Sequence, residues 1–283
     1  MSSGSATRLL RCGGQTLDLS TPVVMGILNV TPDSFFDGGR FADPDRALAQ
    51  AERMHAEGAA IIDVGGESTR PGASQVSADE ELERVLPVIE RLAARLPAII
   101  SVDTSKPEVM RAAAAAGAGL INDVRALRAP GALQAAAAGS CAVCLMHMQG
   151  EPATMQRDPQ YADVVSEVSA FLLTRAQACR AAGVGEDRIV VDPGFGFGKT
   201  LAHNLALLRQ LGRLAGCGYP VLIGLSRKST VAALTGRRDA AERLPGSVAL
   251  ATIAALNGAR IIRAHDVAAT LDAIKVAVAL RSA

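Results

Sequence analysis

The chain has 283 residues, of which 49% are hydrophobic and 20% are charged, and its formal net charge is +1. This is the balance of a globular protein. It lacks the basic excess expected of a protein that binds nucleic acid or a membrane surface. No apolar run approaches the length of a membrane span, and the first residues lack the apolar core of a signal peptide, so we expect a soluble, cytoplasmic protein.

Eight strand-like apolar runs, each followed by a helical pattern, make up most of the chain. The runs are continuous rather than alternating, which is typical of parallel strands buried on both faces. In chain order they are PVVMGILNV, AAIIDVGG, AIISVDT, GLINDV, CAVCLMHM, RIVVDPG, YPVLIGL and ARIIRAH. Eight such βα units predict a single-domain TIM (β/α)8 barrel over residues 21–283, with a doubly wound open sheet as the alternative. Residues 1–20 are predicted to form a short N-terminal hairpin that closes the barrel bottom.

The five cysteines are scattered and odd in number, so they do not form a small disulfide framework. Cys141 and Cys144 form a C-x-x-C within a predicted strand. Residues three apart on a strand point to opposite faces, so this pair cannot chelate a metal together. We expect buried free thiols, as suits a reducing cytosol.

Polar residues stand at the C-terminal end of nearly every predicted strand, where a TIM barrel carries its active site. Buried parallel strands otherwise favour Val, Ile, Leu and Ala, so this clustering predicts a ligand site at one rim. The positions are Asn29, Glu67 to Arg70, Asp103, Asn122, Asp123, His147, Asp192, Arg227, Lys228, Arg263 and His265.

The types of these side chains indicate the ligand. Asp103, Asp192 and Asn122 suit a heterocycle with several N–H donors, such as a 2-amino-pyrimidinone. Positive charge suited to a phosphate-type group comes from Arg70, Arg263 and His265. No nucleophile–base pair and no histidine cluster with metal-ligand spacing stands out. The chemistry is therefore expected to rest on positioning and charge stabilisation.

The segment Val190–Thr200, VVDPGFGFGKT, has the composition of a phosphate-binding loop but not its spacing. Only three residues separate Gly194 from Gly198, where the P-loop has four before its Gly-Lys pair. Pro193 stands where a glycine is required and has no N–H to donate. The preceding carboxylate of Asp192 would also repel a phosphate. Asp192, rather than the glycines, is the residue predicted to bind a ligand.

Four other polar residues have structural interpretations. Lys199 is predicted to be a solvated loop lysine, and Asp63 is as consistent with a buried structural acid as with a ligand-binding one. His55 and His203 lie on predicted helices and are interpreted as surface or packing residues.

Eight short motifs give the chain a resemblance to the dihydropteroate synthases. They are MGILNVTPDSF, DVGGESTRPGA, SVDT, INDV, MHMQG, DPGFGFGK, SRKS and IIRAHDV, in the family's order from Met25 to Val267. The resemblance implies a TIM-barrel homodimer that uses Mg²⁺. The reaction it implies joins 6-hydroxymethyl-7,8-dihydropterin diphosphate to 4-aminobenzoate and releases pyrophosphate.

The resemblance also implies residue roles. The pterin is held by Asp103, Asn122, Val124, Met146, Asp192 and Lys228. The glycines of DPGFGFGK let the chain turn tightly beneath the ring. The catalytic and diphosphate-binding residues are Arg70, Asp103, Arg263 and His265, and the metal ligand is Asn29. The 4-aminobenzoate site is built by Phe35, Thr69, Arg70, Pro71, Phe197 and Ser229. Phe36 departs from the family pattern, where a small residue is expected, and predicts a different loop shape over that site.

Two other functions fit parts of this pattern. A pterin-binding methyltransferase barrel would share the pterin carboxylate and the asparagine, but it would need neither GESTRPGA nor the Arg263–His265 pair. A non-catalytic pterin-binding protein would have lost some rim residues, and none is missing here.

Overall fold

The computed structural model describes residues 9–31, 44–68 and 76–282. Ten strands lie in this part of the chain. Two form a hairpin, β1 (Leu9–Cys12) and β2 (Gln15–Asp18), and eight form one parallel sheet. These eight are β3 (Val23–Asn29), β4 (Ala59–Gly65), β5 (Ile99–Asp103), β6 (Leu120–Asp123), β7 (Ala142–Met146), β8 (Ile189–Asp192), β9 (Leu222–Gly224) and β10 (Ile261–Ala264).

The parallel sheet curves into a barrel. Its strand order is β8-β7-β6-β5-β4-β3-β10-β9, so chain neighbours are sheet neighbours throughout. A parallel bridge between Val191 and Val221 brings the two ends of this order together. This topology confirms the predicted (β/α)8 barrel, and the alternative of a doubly wound open sheet is wrong.

Helices cover the outside of the barrel. In the described residues they are α1 (Pro44–Ala56), α2 (Ala78–Arg95), α3 (Pro107–Ala115), α4 (Ala132–Ala138), α5 (Val164–Ala181), α6 (Leu201–Arg209), α7 (Leu211–Ala215), α8 (Ser229–Thr235), α9 (Leu244–Leu256) and α10 (Val267–Ser282). None of them is both long and apolar enough to cross a bilayer.

Strand periodicity divides the core into two clusters. Residues that point outward, such as Val64 and Val102, pack with the helices in the larger cluster. Residues that point inward, such as Ile61 and Ile99, fill the barrel in the smaller one. Successive residues of a strand face opposite sides, so each strand contributes to both. The strands therefore read as continuous apolar runs.

The N-terminal hairpin closes the end of the barrel where the strands begin. Leu10 and Cys12 of β1, with Leu19 after β2, pack into the inner cluster and are almost fully buried. A side chain at Gly119 would approach the carbonyl of Cys12 to 2.9 Å, so the hairpin backbone lies directly against the start of β6. The predicted hairpin and its place are confirmed. The domain boundary at residue 20 stays a prediction.

Candidate active site

The polar residues of the rim occupy the inward register of the barrel strands. One inward position on each strand is apolar, as in Ile61, Leu120 and Val190. The next inward positions, two residues further on, include Asp63, Ser101, Asn122, Asp192 and Arg263. Polar side chains from five strands thus meet inside the upper half of the barrel, which is where this fold places catalytic residues.

Asp63 is the centre of the hydrogen bonding in this layer. Its fully buried carboxylate accepts bonds from Ser101 Oγ at 2.6 Å, Asn122 Nδ2 at 3.1 Å and Arg263 Nε at 2.6 Å. Because the Asn122 amide donates to Asp63, its carbonyl oxygen is left to accept a bond from a ligand. Of the two interpretations of Asp63 from sequence, the structure supports the structural acid.

Arg263 joins two carboxylates. Its Nη2 donates to Asp103 Oδ2 at 2.9 Å, while its Nε is held by Asp63. Burial raises the pKa of Asp103, and the neighbouring Asp63 raises it further, whereas Arg263 opposes the shift. The pKa of Arg263 is itself raised because the two carboxylates outweigh its burial. The cation predicted to bind a diphosphate is therefore positioned by the fully buried Asp63 and the partly buried Asp103.

Asn29, at the end of β3, and Asp103, at the end of β5, both lie next to Gly65 of the strand between them. A Cβ built on Gly65 would lie 3.6 Å from both Asn29 Oδ1 and Asp103 Cβ, so the glycine between them leaves this edge of the rim open. Amide and carboxylate oxygens are ligands that Mg²⁺ accepts, and the ion commonly takes only one or two protein ligands beside phosphate oxygens and water. Within the described part of the chain no group of three acidic, His or Cys side chains could hold a metal. The donors present fit a metal ion that arrives with a phosphate-bearing substrate.

Asp192 ends β8 and anchors the glycine-rich loop that follows. Its Oδ1 accepts from the N–H of Gly194 at 2.7 Å. Gly194, Gly196 and Gly198 have φ of +66°, +84° and +60°, so the tight turn predicted for this segment is present. A Cβ on Gly194 would lie 1.8 Å from the carbonyl oxygen of His147, so the residue can only be glycine. Burial raises the pKa of Asp192, and Lys228 opposes that shift.

The side chain of Lys228, which follows β9, reaches the site near Asp192. Its ammonium donates to the carbonyl of Phe195 and lies 4.7 Å from the centre of the Phe197 ring. Burial lowers its pKa to about 8, while Asp192 raises it. Gly224 lies next to it, since a Cβ there would be in ordinary contact with the Lys228 ammonium at 3.7 Å.

An apolar surface adjoins the charged groups. Val124, Met146, Met148 and Met155 form a small cluster of their own, and Phe197 packs against it. Flexible, polarisable methionine side chains near the carboxylate of Asp192 suit a planar heterocycle with N–H donors on its edge. Val124, Met146 and Phe197 were each predicted to contact substrate, and the structure brings them together.

Hydrogen bonds join the segments that follow β9 and β10. His265 Nδ1 lies 2.9 Å from Ser226 Oγ, which also accepts from the His265 N–H at 3.2 Å. Arg227 turns away from the barrel and pairs with Asp266 through its Nε and Nη2. Arg227 has φ of +57°, and this left-handed residue precedes the inward-facing Lys228. Ser229 follows as the exposed first residue of α8.

Some expectations about the rim are wrong. Asp123 faces the helices, because it lies one residue out of register with Asn122; it accepts from Ser105, Arg125 and Leu127 and holds the loop after β6. Lys199 is not a solvated lysine but is 3% exposed, with its amine 3.0 Å from His147 Nδ1.

Other expectations hold, and some fall outside the described residues. Cys141, directly before β7, and Cys144, on β7, belong to different clusters, and both thiols are free. His203 caps α6 and His55 is half-buried on α1, as the packing interpretation expected. The residues with a predicted role at the site that lie outside the described part of the chain are Phe35, Phe36, Thr69, Arg70 and Pro71.

Comparison with known proteins assigns the chain to a family. The family described as pterin binding enzyme matches residues 25–265. The chain is 53% identical over 270 residues to the dihydropteroate synthase of Escherichia coli K12, which covers 95% of each chain. The crystal structure of the Xanthomonas albilineans dihydropteroate synthase with 4-aminobenzoic acid aligns with a TM-score of 0.92 at 53% identity, over 99% of this chain and 100% of that one. The structure of the same enzyme in complex with 7,8-dihydropteroate aligns with a TM-score of 0.88 at 51% identity, over 97% and 99%.

Proposed function

The chain belongs to the dihydropteroate synthase family of pterin binding enzymes, and from this premise we propose how its rim residues perform the reaction. It is a transferase of folate biosynthesis that condenses 6-hydroxymethyl-7,8-dihydropterin diphosphate with 4-aminobenzoate to give 7,8-dihydropteroate and pyrophosphate. The observation that carries the residue roles is the convergence of buried acids, an amide and two cations inside one barrel end.

The pterin is held by its edge. Asp192 accepts from the N–C–N edge of the ring, and the free carbonyl oxygen of Asn122 accepts a further ring N–H. Val124 and Met146 cover the ring face, and Phe197 packs against them at the side of the second substrate. This assignment is supported by the apolar cluster next to Asp192 and by the bond that turns the Asn122 amide toward Asp63.

Departure of the diphosphate is assisted by charge. The bond between the exocyclic carbon and the bridging oxygen breaks, and its electron pair leaves with pyrophosphate. Arg263 and His265, with Arg70, stabilise the departing anion. Mg²⁺ bound to the diphosphate and Asn29 would neutralise part of that charge when present. The partly buried carboxylate of Asp103 stabilises the positive charge that develops on the pterin.

The second substrate then attacks the exocyclic carbon. The aminobenzoate nitrogen forms the new C–N bond and releases one proton to solvent. An arylamine has a low pKa and needs no strong general base. This agrees with the sequence analysis, in which no nucleophile–base pair stands out among the rim residues. Its site is proposed at Phe197 and Ser229 together with Phe35, Thr69, Arg70 and Pro71.

Pyrophosphate release tests this function directly. The purified protein is given Mg²⁺ and the pterin diphosphate, with and without 4-aminobenzoate. Release that depends on aminobenzoate, with dihydropteroate as product, is expected. Methyl transfer from a methylated folate is the alternative for a barrel that shares the pterin carboxylate. Pterin binding without turnover would favour it or a non-catalytic role, but the relatives above carry the synthase name.

We also propose that the chain is a cytoplasmic homodimer. Helix α9 has no charged residue over its length, and a helix without a polar outer face is typical of one that is covered. Ile253 and Leu256 of α9, with Val276 and Leu280 of the adjacent α10, are exposed. A second copy is the occupant expected in this family. In sedimentation equilibrium, L280E should shift the protein to a monomer, while the charge-matched surface variant Q134E should not. The free thiols support the cytoplasmic location.

A further inference from the structure

Side chains hold the glycine-rich loop after β8 at four consecutive carbonyls. Phe195 O accepts from Lys228, Gly196 O from Gln156, Phe197 O from Lys199, and Gly198 O from Tyr161. The four donors come from three parts of the chain, because Gln156 and Tyr161 belong to the same segment after β7. Glycines at positive φ are flexible in isolation, so this bonding fixes a loop that would otherwise sample many conformations.

Lys199 is the donor that joins the loop to the neighbouring strand end. Its amine lies 2.9 Å from Phe197 O, 3.0 Å from His147 Nδ1 and 3.4 Å from His147 O. It also lies under the turn, 3.4 Å from the point where a Cβ of Gly194 would be. One buried amine therefore connects the start and the end of the loop with the residue that follows β7.

His147 is suited to accept from this amine. Its ring is buried and meets the edge of Phe171 at 4.9 Å between centroids. Burial, together with the charge of Lys199, lowers the pKa of His147 to about 3, so the imidazole is neutral at physiological pH and its nitrogen can accept. Burial also lowers the pKa of Lys199, while Asp192 raises it.

The same loop fixes the pterin carboxylate. The Gly194 N–H that bonds Asp192 Oδ1 is part of the turn that rests on Lys199. A shift of the turn would rotate that carboxylate away from its ligand and move Phe197 with it. We propose that Lys199 is a positioning residue for the pterin, acting through the turn at Gly194 on the carboxylate of Asp192. This inference rests on the proposed function, because it takes Asp192 as the pterin acceptor.

Titration calorimetry with the pterin diphosphate and Mg²⁺ tests the inference, together with steady-state kinetics for both substrates. In K199M the pterin Kd is expected to rise about tenfold or more, and the aminobenzoate KM is expected to rise by less, because Phe197 is only one of the residues proposed for that site. K199Q keeps one donor and should lose less. If K199M does not fold, the same comparison uses K199Q. Hydrogen exchange should show faster exchange at the Gly194 amide in both variants.

Arg188 provides the matched control. It too is a buried cation that donates to backbone carbonyls, with Nε 2.9 Å from Cys141 O and Nη2 2.8 Å from Gly139 O, but it lies at the opposite end of the barrel. R188M should lower the melting temperature and leave the pterin Kd within about twofold. Equal affinity losses in R188M and K199M would mean a merely structural role, and unchanged affinity in K199M would also refute the inference. Failure of the wild-type protein to bind the pterin would overturn the proposed function itself.

Discussion

Substitution of Asp192 by Asn tests the centre of the proposed pterin site. The change replaces one carboxylate oxygen by an amide nitrogen and removes the charge, with almost no change in shape. The remaining Asn oxygen can still accept from the Gly194 N–H, which lies 2.7 Å from Oδ1 of Asp192. The loop should therefore keep its conformation, and the effect should fall on the ligand.

The magnitude follows from the kind of bond that is lost. Lys228 and Lys199 favour the charged form of Asp192 against the effect of burial on its pKa. A hydrogen bond to a charged group contributes about 1.5–3 kcal/mol. Its loss corresponds to a rise of about 10- to 150-fold in Kd. The amide nitrogen that faces a ring N–H adds an unfavourable donor–donor contact in the same direction.

The assay is titration of the pterin diphosphate with Mg²⁺ into wild type, D192N and the control D123N. Asp123 is an equally buried strand-end carboxylate, but it faces the helices and accepts from backbone N–H groups. D123N should lower stability with little effect on pterin affinity. If D192N binds the pterin as tightly as wild type, or D123N weakens binding as much, the assignment of Asp192 is refuted.

Three further predictions concern stability and its dependence on pH. D63A should cost about 3–5 kcal/mol in urea unfolding, because it removes a buried partner of Arg263; a cost below about 1 kcal/mol would contradict its central role. G194A should unfold far more readily than G183A, because a Cβ at Gly194 meets a backbone oxygen. A Cβ at Gly183, at φ +96°, enters open space, so G183A bears only about 1–2 kcal/mol of backbone strain. Equal losses of stability in the two variants would show that the clash at Gly194 is relieved. Burial lowers the pKa of Lys199 from 10.5 to about 7, so between these pH values the unfolded chain binds more protons than the folded one. The unfolding free energy of wild type should therefore rise with pH relative to that of K199M. A difference between the two proteins that stays constant from pH 7 to 10 would contradict this.

The rim was predictable because strand periodicity is local. Asp103, Asn122 and Asp192 break apolar runs at places where a parallel strand would favour aliphatic residues, and all three were identified from sequence. The same signal gave a wrong prediction for Asp123, which faces the helices and not the barrel interior. Adjacent residues on a strand point to opposite faces, and only the register with β7 shows that Asn122 is the inward one.

Long-range contacts account for what sequence reasoning missed. Asp63 bonds to residues 38, 59 and 200 positions away, so its central place has no local signature. Lys199 lies in a polar, glycine-rich segment and looks exposed, yet the barrel buries it against His147, 52 positions away. Each depends on which strand ends become neighbours when the barrel closes.

The sequence alone determined the number and order of the βα units, the hairpin, the tight turn after β8 and the end of the barrel that carries the chemistry. These follow from apolar periodicity, from glycines at required positive φ and from polar residues at strand ends, all of them properties of short segments. The tertiary structure alone decided which polar residues face inward and which pair with each other. Closure of the barrel brings Asp63, Asp103 and Arg263 together in a buried space, where each charge is stable only beside its partners.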